Sequence, residues 1–346
     1  MFKKFGRLPK RNLKKRIEGS LYYKNNKFTN LEEKPALTEG VSIVDVLKSF
    51  FSKDVNTIPT KIPITETNLF TLNDEKDYFI WFGHSSYLLN LGKIKFLVDP
   101  VFSVNASPLP NNVKEFAGTE YYKSDKMPHI DYLIITHDHY DHLDYKTILE
   151  LKNKVGKVIL PLGVSEHFLY WGYKKENIIE LEWYESFELS ENFTITSEPT
   201  HHSSGRFLKA NQSLWTSYVL KYQTKNIFLG GDGAYGKHFK EIGKKYVRFD
   251  LAFMENGQYN KLWKYSHMFP KETLQAAKDI NAQVVVPIHN SKFKLSVHEW
   301  NEPLKEITRL NKEEFKLNLV TMKIGDVVYI DNLNFNYERC LTKIKN

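Results

Sequence analysis

The stretch from Tyr132 to His142, Tyr-Leu-Ile-Ile-Thr-His-Asp-His-Tyr-Asp-His, constrains this chain more than any other. An apolar run of strand-like composition stops abruptly at three histidines and two aspartates. A hydrophobic core has no use for that much imidazole and carboxylate at the end of a buried strand, because polar groups removed from water need partners. His137, His139, Asp141 and His142 form the pattern His-x-His-x-Asp-His. Neutral imidazole and carboxylate are the ligand types that suit zinc and its borderline neighbours. Side chains of an extended segment alternate sides, so His137, His139 and Asp141 share one direction and His142 follows from the turn. The stretch therefore reads as a metal site with room for two ions. The competing reading is a surface loop that happens to be rich in histidine.

Three later apolar runs end in the same manner, at Pro199-Thr-His-His202, Gly230-Gly-Asp232 and Pro287-Ile-His289. The intervals between these endings each allow the chain to pass through a strand and a helix and return to one edge. Strands are expected at 78–82, 86–91, 94–98, 130–135, 158–160, 178–181, 193–198, 214–221, 226–229, 251–254 and 284–287, and helices at 145–152 and 270–279. That alternation is an α/β (α+β) fold with ligands grouped on one sheet edge. His84, in the Gly83-His84-Ser85-Ser86 link, and Asp99, before Pro100, are placed to orient metal ligands through hydrogen bonds. The segment 101–127 reads as a long loop covering a site.

Residues 1–73 are expected to form a basic arm, an amphipathic helix and a linker, ahead of the main domain at 74–346. The helix covers 42–51, with apolar positions 43, 46, 47, 50 and 51 and a cap formed by Ser42 and Asp45. Its apolar face either packs on its own domain or meets lipid. The net charge of +8 is accounted for by Lys3, Lys4, Arg7, Lys10, Arg11, Lys14, Lys15 and Arg16, with no acid among them. The remainder is balanced, so no broad basic field for nucleic acid exists. Residues 1–16, together with 42–51, offer a peripheral contact to an anionic membrane; the alternative is a solvated arm. The single cysteine, Cys340, permits no intrachain disulfide and no thiolate cluster. No apolar stretch is long enough to span a bilayer and no secretory pattern follows the cations, so a cytoplasmic protein, peripheral to the inner membrane surface at most, is expected.

With these residues in place, the chain resembles the metallo-β-lactamase fold superfamily. More narrowly it resembles the branch of N-acyl-phosphatidylethanolamine-hydrolysing phospholipase D enzymes and their bacterial relatives. The likeness rests on 20–30, 81–86, 98–103, the His-x-His-x-Asp-His motif, 199–206, 230–240, 266–268 and 287–290. It implies a four-layer αββα sandwich with two Zn2+ ions at its edge, Mn2+ or Fe2+ being alternatives. One metal would take His137, His139 and His202, the other Asp141, His142 and His289, with Asp232 bridging; His201 is the weaker candidate of its pair. Tyr140 and His267 match substrate-contacting positions, and His267 together with Asp141 would serve catalysis. The implied activity is hydrolysis of a phosphodiester in a phospholipid-like substrate through a hydroxide bridging the metals. A lactonase or another acyl or sugar-phosphate hydrolase of the same fold is the alternative, and a non-enzymatic metal-binding protein a further one. The chain departs from the branch at Ser203 and Gly233, positions that bear on substrate choice.

Overall fold

The computed structural model describes residues 2–51, 56–109, 112–206 and 209–332; Pro110 and Cys340 lie outside them. In chain order the elements begin with α1 (Arg11–Glu18), β1 (Tyr23–Lys24), β2 (Lys27–Phe28), α2 (Ile43–Phe51), β3 (Tyr78–Trp81), β4 (Tyr87–Leu91) and β5 (Ile94–Val98). There follow β6 (Ile130–Ile134), α3 (Tyr145–Leu151), β7 (Val155–Pro161), α4 (Ser165–Tyr170), β8 (Ile178–Leu181), β9 (Ser186–Ser190) and β10 (Phe193–Glu198). The last are β11 (Ser217–Tyr222), β12 (Lys225–Leu229), α5 (His238–Tyr246), β13 (Leu251–Glu255), α6 (Pro270–Asp279), β14 (Val285–Ile288), α7 (Glu302–Leu310) and β15 (Val327–Tyr329).

Two sheets face one another. The first has the order β15-β3-β4-β5-β6-β7-β8, and the second β14-β13-β12-β11-β10-β9. The period-2 alternation of the strands divides their side chains between layers. Tyr218, Leu220, Ile227, Leu229, Leu251, Phe253 and Val286 point inward and join one core with β3 to β7 of the first sheet. Their neighbours Val219, Phe228, Ala252, Met254 and Val285 point outward and pack with Phe239 and Ile242 of α5, Leu274 and Ala277 of α6 and Ile307 of α7. On the other side α3 and α4 add Ile148, Leu151 and Phe168 to the main core. The result is a helix, sheet, sheet, helix sandwich. Phe253 fixes the seam between the sheets, stacking on Tyr87 at 4.0 Å and meeting Phe79 edge-on at 5.2 Å.

Strand direction decides where chemistry can occur. β5, β6, β7 and β8 are parallel neighbours, as are β12, β13 and β14. Their carboxyl ends therefore meet along one edge, where polar residues leaving each strand converge.

The amino-terminal region lies against the sandwich. Ile17 of α1 and Phe28 of β2 are buried in a small cluster with Leu162, Trp183, Leu214 and Trp215. Ser42 and Asp45 do cap α2: the Ser42 backbone N–H donates to the Asp45 carboxylate at 2.9 Å, and the Asp45 N–H to Ser42 Oγ at 3.3 Å. Ile43, Val44, Leu47 and Phe50 of α2 are nonetheless exposed, Phe50 stacking on Trp263 with centroids 5.9 Å apart. No helix among the described residues is long and apolar enough to cross a membrane.

Candidate metal centre

Several strands whose carboxyl ends reach this edge are followed by ligand-type side chains. β6 leads into His137, His139, Asp141 and His142; β10 into His202; β12 into Asp232; β14 into His289. His84 follows β3 and Asp99 follows β5. His84, Asp99 and His289 have φ of 52°, 41° and 67°. Left-handed backbone at non-glycine residues costs free energy and is held only where the surroundings fix it; here it turns three strand ends inward together. Gly231 lets Asp232 approach, since a Cβ there would stand 2.3 Å from the Thr216 carbonyl oxygen.

The ligand-type atoms fall into overlapping groups whose members all lie within 4.8 Å of one another. His137, His139 and His202 form one; His84, Asp141, His142 and His289 another; His137, His142 and Asp232 link the two. A further group consists of Asp232, Glu255, His267 and His289. His139 Nδ1 sits 2.9 Å from His137 Nε2 and 3.2 Å from His202 Nε2. Asp232 reaches across, its Oδ2 3.0 Å from His142 Nε2 and its Oδ1 3.1 Å from His289 Nδ1.

Around these atoms stands a set of orienting partners. Asp99 accepts from His142 Nδ1 at 2.7 Å and is itself held by the Thr136 hydroxyl at 2.6 Å and the Thr136 N–H at 2.8 Å. Ser85 Oγ is 2.9 Å from His289 Nδ1, and His84 Nε2 is 2.9 Å from the Asp141 carboxylate. Glu255, the last residue of β13, pairs with His267 Nδ1 and accepts from the Gly233 N–H at 3.0 Å. Glu255 escaped the sequence reading, although an acid closing the apolar run Leu-Ala-Phe-Met was a legible signal. Tyr140 lies on the far side of the loop, its ring over the Arg206 guanidinium at 4.2 Å and its hydroxyl donating to the Arg206 carbonyl. His201 faces away from the cluster into a separate cavity shared with His238, where burial pushes its pKa down to about 4.

The electrostatics suit a cation. Burial, reinforced by neighbouring imidazoles, holds His137, His202 and His289 well below the ordinary histidine value, so they are neutral and free to donate lone pairs. Burial likewise pushes Asp232 up to about 6. For His142 burial opposes charge, yet Asp232, Asp141 and Asp99 overcome it and hold the pKa well above the usual value. Three buried carboxylates thus draw a positive charge to the middle of the cluster, and in a protein without metal His142 carries it. Three imidazole nitrogens facing one another cannot all find protons to share, and among the described residues His289 Nε2 is buried with no hydrogen-bond partner. Mixed imidazole and carboxylate donors of this kind fit divalent zinc, manganese or iron.

Residues 95–290, which carry every ligand candidate except His84, match the family described as the beta-lactamase superfamily domain. The chain belongs to the metallo-β-lactamase fold superfamily. The N-acyl-phosphatidylethanolamine-hydrolyzing phospholipase D 1 of Caenorhabditis elegans is 27% identical over 333 residues, covering 89% of this chain and 92% of that protein. Igni18, a metallo hydrolase from Ignicoccus hospitalis, superposes with a TM-score of 0.54 at 20% identity, over 73% of this chain and 97% of that one. CmlA, a diiron β-hydroxylase from Streptomyces venezuelae, superposes with a TM-score of 0.56 at 14% identity, over 73% of this chain and 54% of that one. The superfamily member described here is a metal-dependent hydrolase with a buried His/Asp cluster at its sheet edge.

Proposed function

We propose that the protein is a dinuclear zinc phosphodiesterase acting on a phospholipid-like substrate of the N-acyl-phosphatidylethanolamine class. The observation that supports this reading most is the union of the cluster with similarity to the C. elegans phospholipase along nearly the whole of both chains. His137, His139 and His202 would hold one ion, and Asp141, His142 and His289 the other, with Asp232 between them. Such a pair of ions supplies an activated water at neutral pH and offsets charge on the phosphoryl oxygens.

The protein's own groups do the rest. Asp99 fixes which nitrogen of His142 faces the cluster, and Ser85 holds His289 by the Nδ1 that also faces Asp232. Glu255 holds His267 Nδ1, 4.0 Å from Asp232, and His267 would bind a phosphate oxygen or protonate a leaving group through its other nitrogen. The exposed apolar residues of α2 stand beside Trp263 on the segment leading to His267, a placement that suits a peripheral lipid contact.

A second reading, a hydrolase of a polar phosphodiester, sugar phosphate or lactone, is favoured by one observation. A cavity of about 480 Å³ beside His202 brings the polar and charged Lys27, Asn30, Glu32 and Lys34 together with Phe28 and Tyr265 in its lining. The test is hydrolysis of N-acyl phosphatidylethanolamine in detergent micelles by protein of measured metal content, beside bis(p-nitrophenyl) phosphate and a lactone. Release of N-acylethanolamine by protein carrying two zinc ions is the expected result. Turnover of the lactone or generic diester alone would remove the lipid assignment and leave the metal site.

A further inference from the structure

The alternation that points His137, His139 and Asp141 at the cluster points Asp138 and Tyr140 the other way. Those two residues meet a second network, and it is built from the amino-terminal segment. Arg206, 5% exposed, donates through Nη1 to the carbonyls of Asp138 at 2.8 Å and Leu143 at 2.6 Å, bracketing the motif. Its Nη2 donates to the Lys4 carbonyl at 2.8 Å, and its guanidinium lies between the rings of Tyr140 and Trp171. The Asp138 carboxylate accepts from the Gly205 N–H at 2.7 Å, the Ser213 hydroxyl at 2.8 Å and His167 Nε2 at 3.2 Å. His167 Nδ1 in turn accepts the Arg7 backbone N–H at 2.9 Å, which fixes its tautomer with the proton on Nε2, toward Asp138. Trp171 Nε1 donates to the Lys3 carbonyl at 2.7 Å. Gly6, with φ of 73°, allows this approach: a Cβ there would stand 2.0 Å from His167 Nδ1.

The segment therefore reaches the loop through its backbone at Arg206 and His167, side chains whose other ends hold residues 138–143, while Trp171 braces the Arg206 guanidinium and Arg7 adds an ion pair to Glu166 at 2.5 Å. We propose that residues 3–7 are a clasp for the metal-binding loop, and that Asp138, His167 and Arg206 are positioning residues that set the zinc affinity of His137, His139 and His202. Rigid support behind a ligand reduces the ordering that metal binding must otherwise supply, which is how partners behind first ligands usually act on affinity. The basic head is thus part of the site's own scaffold. This inference rests on the metal-site reading above.

The test is zinc affinity by competition with a chromogenic chelator on metal-stripped, reloaded protein, alongside thermal melts to confirm a cooperative fold. The variants are a deletion of residues 2–8, Gly6→Val, Arg206→Lys and Lys3→Ala. The deletion, Gly6→Val and Arg206→Lys should weaken zinc binding about tenfold or more. Lys3→Ala should stay within about twofold of wild type, because that contact is a carbonyl that alanine retains. Should the deletion fail to fold, Gly6→Val and Arg206→Lys carry the same measurement. Folded variants that bind zinc like wild type would overturn the clasp while leaving the metal site standing. Wild-type protein that binds no zinc would overturn both.

Discussion

Replacing Asp99 by asparagine separates an orienting role from a purely structural one. One Asp99 oxygen accepts from His142 Nδ1 at 2.7 Å and from the Thr136 hydroxyl at 2.6 Å, and the other from the Thr136 N–H at 2.8 Å. Asparagine keeps the shape but can offer a carbonyl at only one of these places. If that carbonyl stays with the Thr136 N–H, the new amide N–H₂ faces His142 Nδ1, which must then accept, and its proton moves to Nε2. Nε2 is the nitrogen 3.0 Å from Asp232 and the one that would meet a metal. The variant therefore loses one charged hydrogen bond, about 1.5–3 kcal/mol. At about 1.4 kcal/mol per factor of ten, that is a one to two orders of magnitude loss in affinity at the His142 site. The assay is zinc titration against a competing chelator, with circular dichroism to show an unchanged fold. Two zinc affinities within about twofold of wild type would refute the tautomer argument.

Further outcomes follow from the same geometry. His267→Gln should retain both metals and lose about 100-fold or more in kcat; full turnover would remove His267 from the chemistry. Phe253→Ala, at the seam against Tyr87 and Phe79, should cost about 3–5 kcal/mol in urea unfolding; a loss under about 1 kcal/mol would mean the sheets close without it. Metal-stripped protein should lose stability as pH falls below about 6.5, where the unfolded chain binds protons that buried His137, His202 and His289 refuse. His142 works in the opposite sense, its raised pKa adding stability that is full below about 6.5 and fades as pH climbs through its folded value, and the raised Asp232 and Glu255 also favour the folded state as pH falls; against them stand the three histidines together with the likewise depressed His84, His139, His201, His238 and His267. A higher urea midpoint at pH 5.5 than at pH 7.5 would contradict this.

Much of the fold was readable because its signals are local. The strands at 94–98, 178–181 and 193–198 and the helix at 270–279 fall at their expected places, since apolar period and turn residues are written in adjacent positions. Some of the elements not foreseen lack such signals. β9, Ser-Phe-Glu-Leu-Ser, is an exposed edge strand with no buried face to enforce alternation. α5 carries Gly243 in its interior, a poor helix former that is there because a Cβ would stand 2.1 Å from the Asp279 carbonyl at the end of α6. α7 begins with Glu302-Pro303 and places Leu304 and Ile307 on one face, a pattern that was open to reading.

The sequence by itself determined the chemistry available. The residue types of His-x-His-x-Asp-His and of the three later strand endings specify imidazole and carboxylate donors, and the alternation of an extended chain specifies which of them share a direction. Only the tertiary structure decided how those donors are held. That Asp99 steers His142, that Glu255 grips His267, and that Lys4 and Arg7 reach the back of the metal loop through Arg206 and His167 are facts about residues 12 to 202 positions apart. The first two pairs meet because strands bring their carboxyl ends to one edge, the others because the amino-terminal segment packs behind the metal loop, and no local pattern in the chain records which distant neighbour will be waiting there.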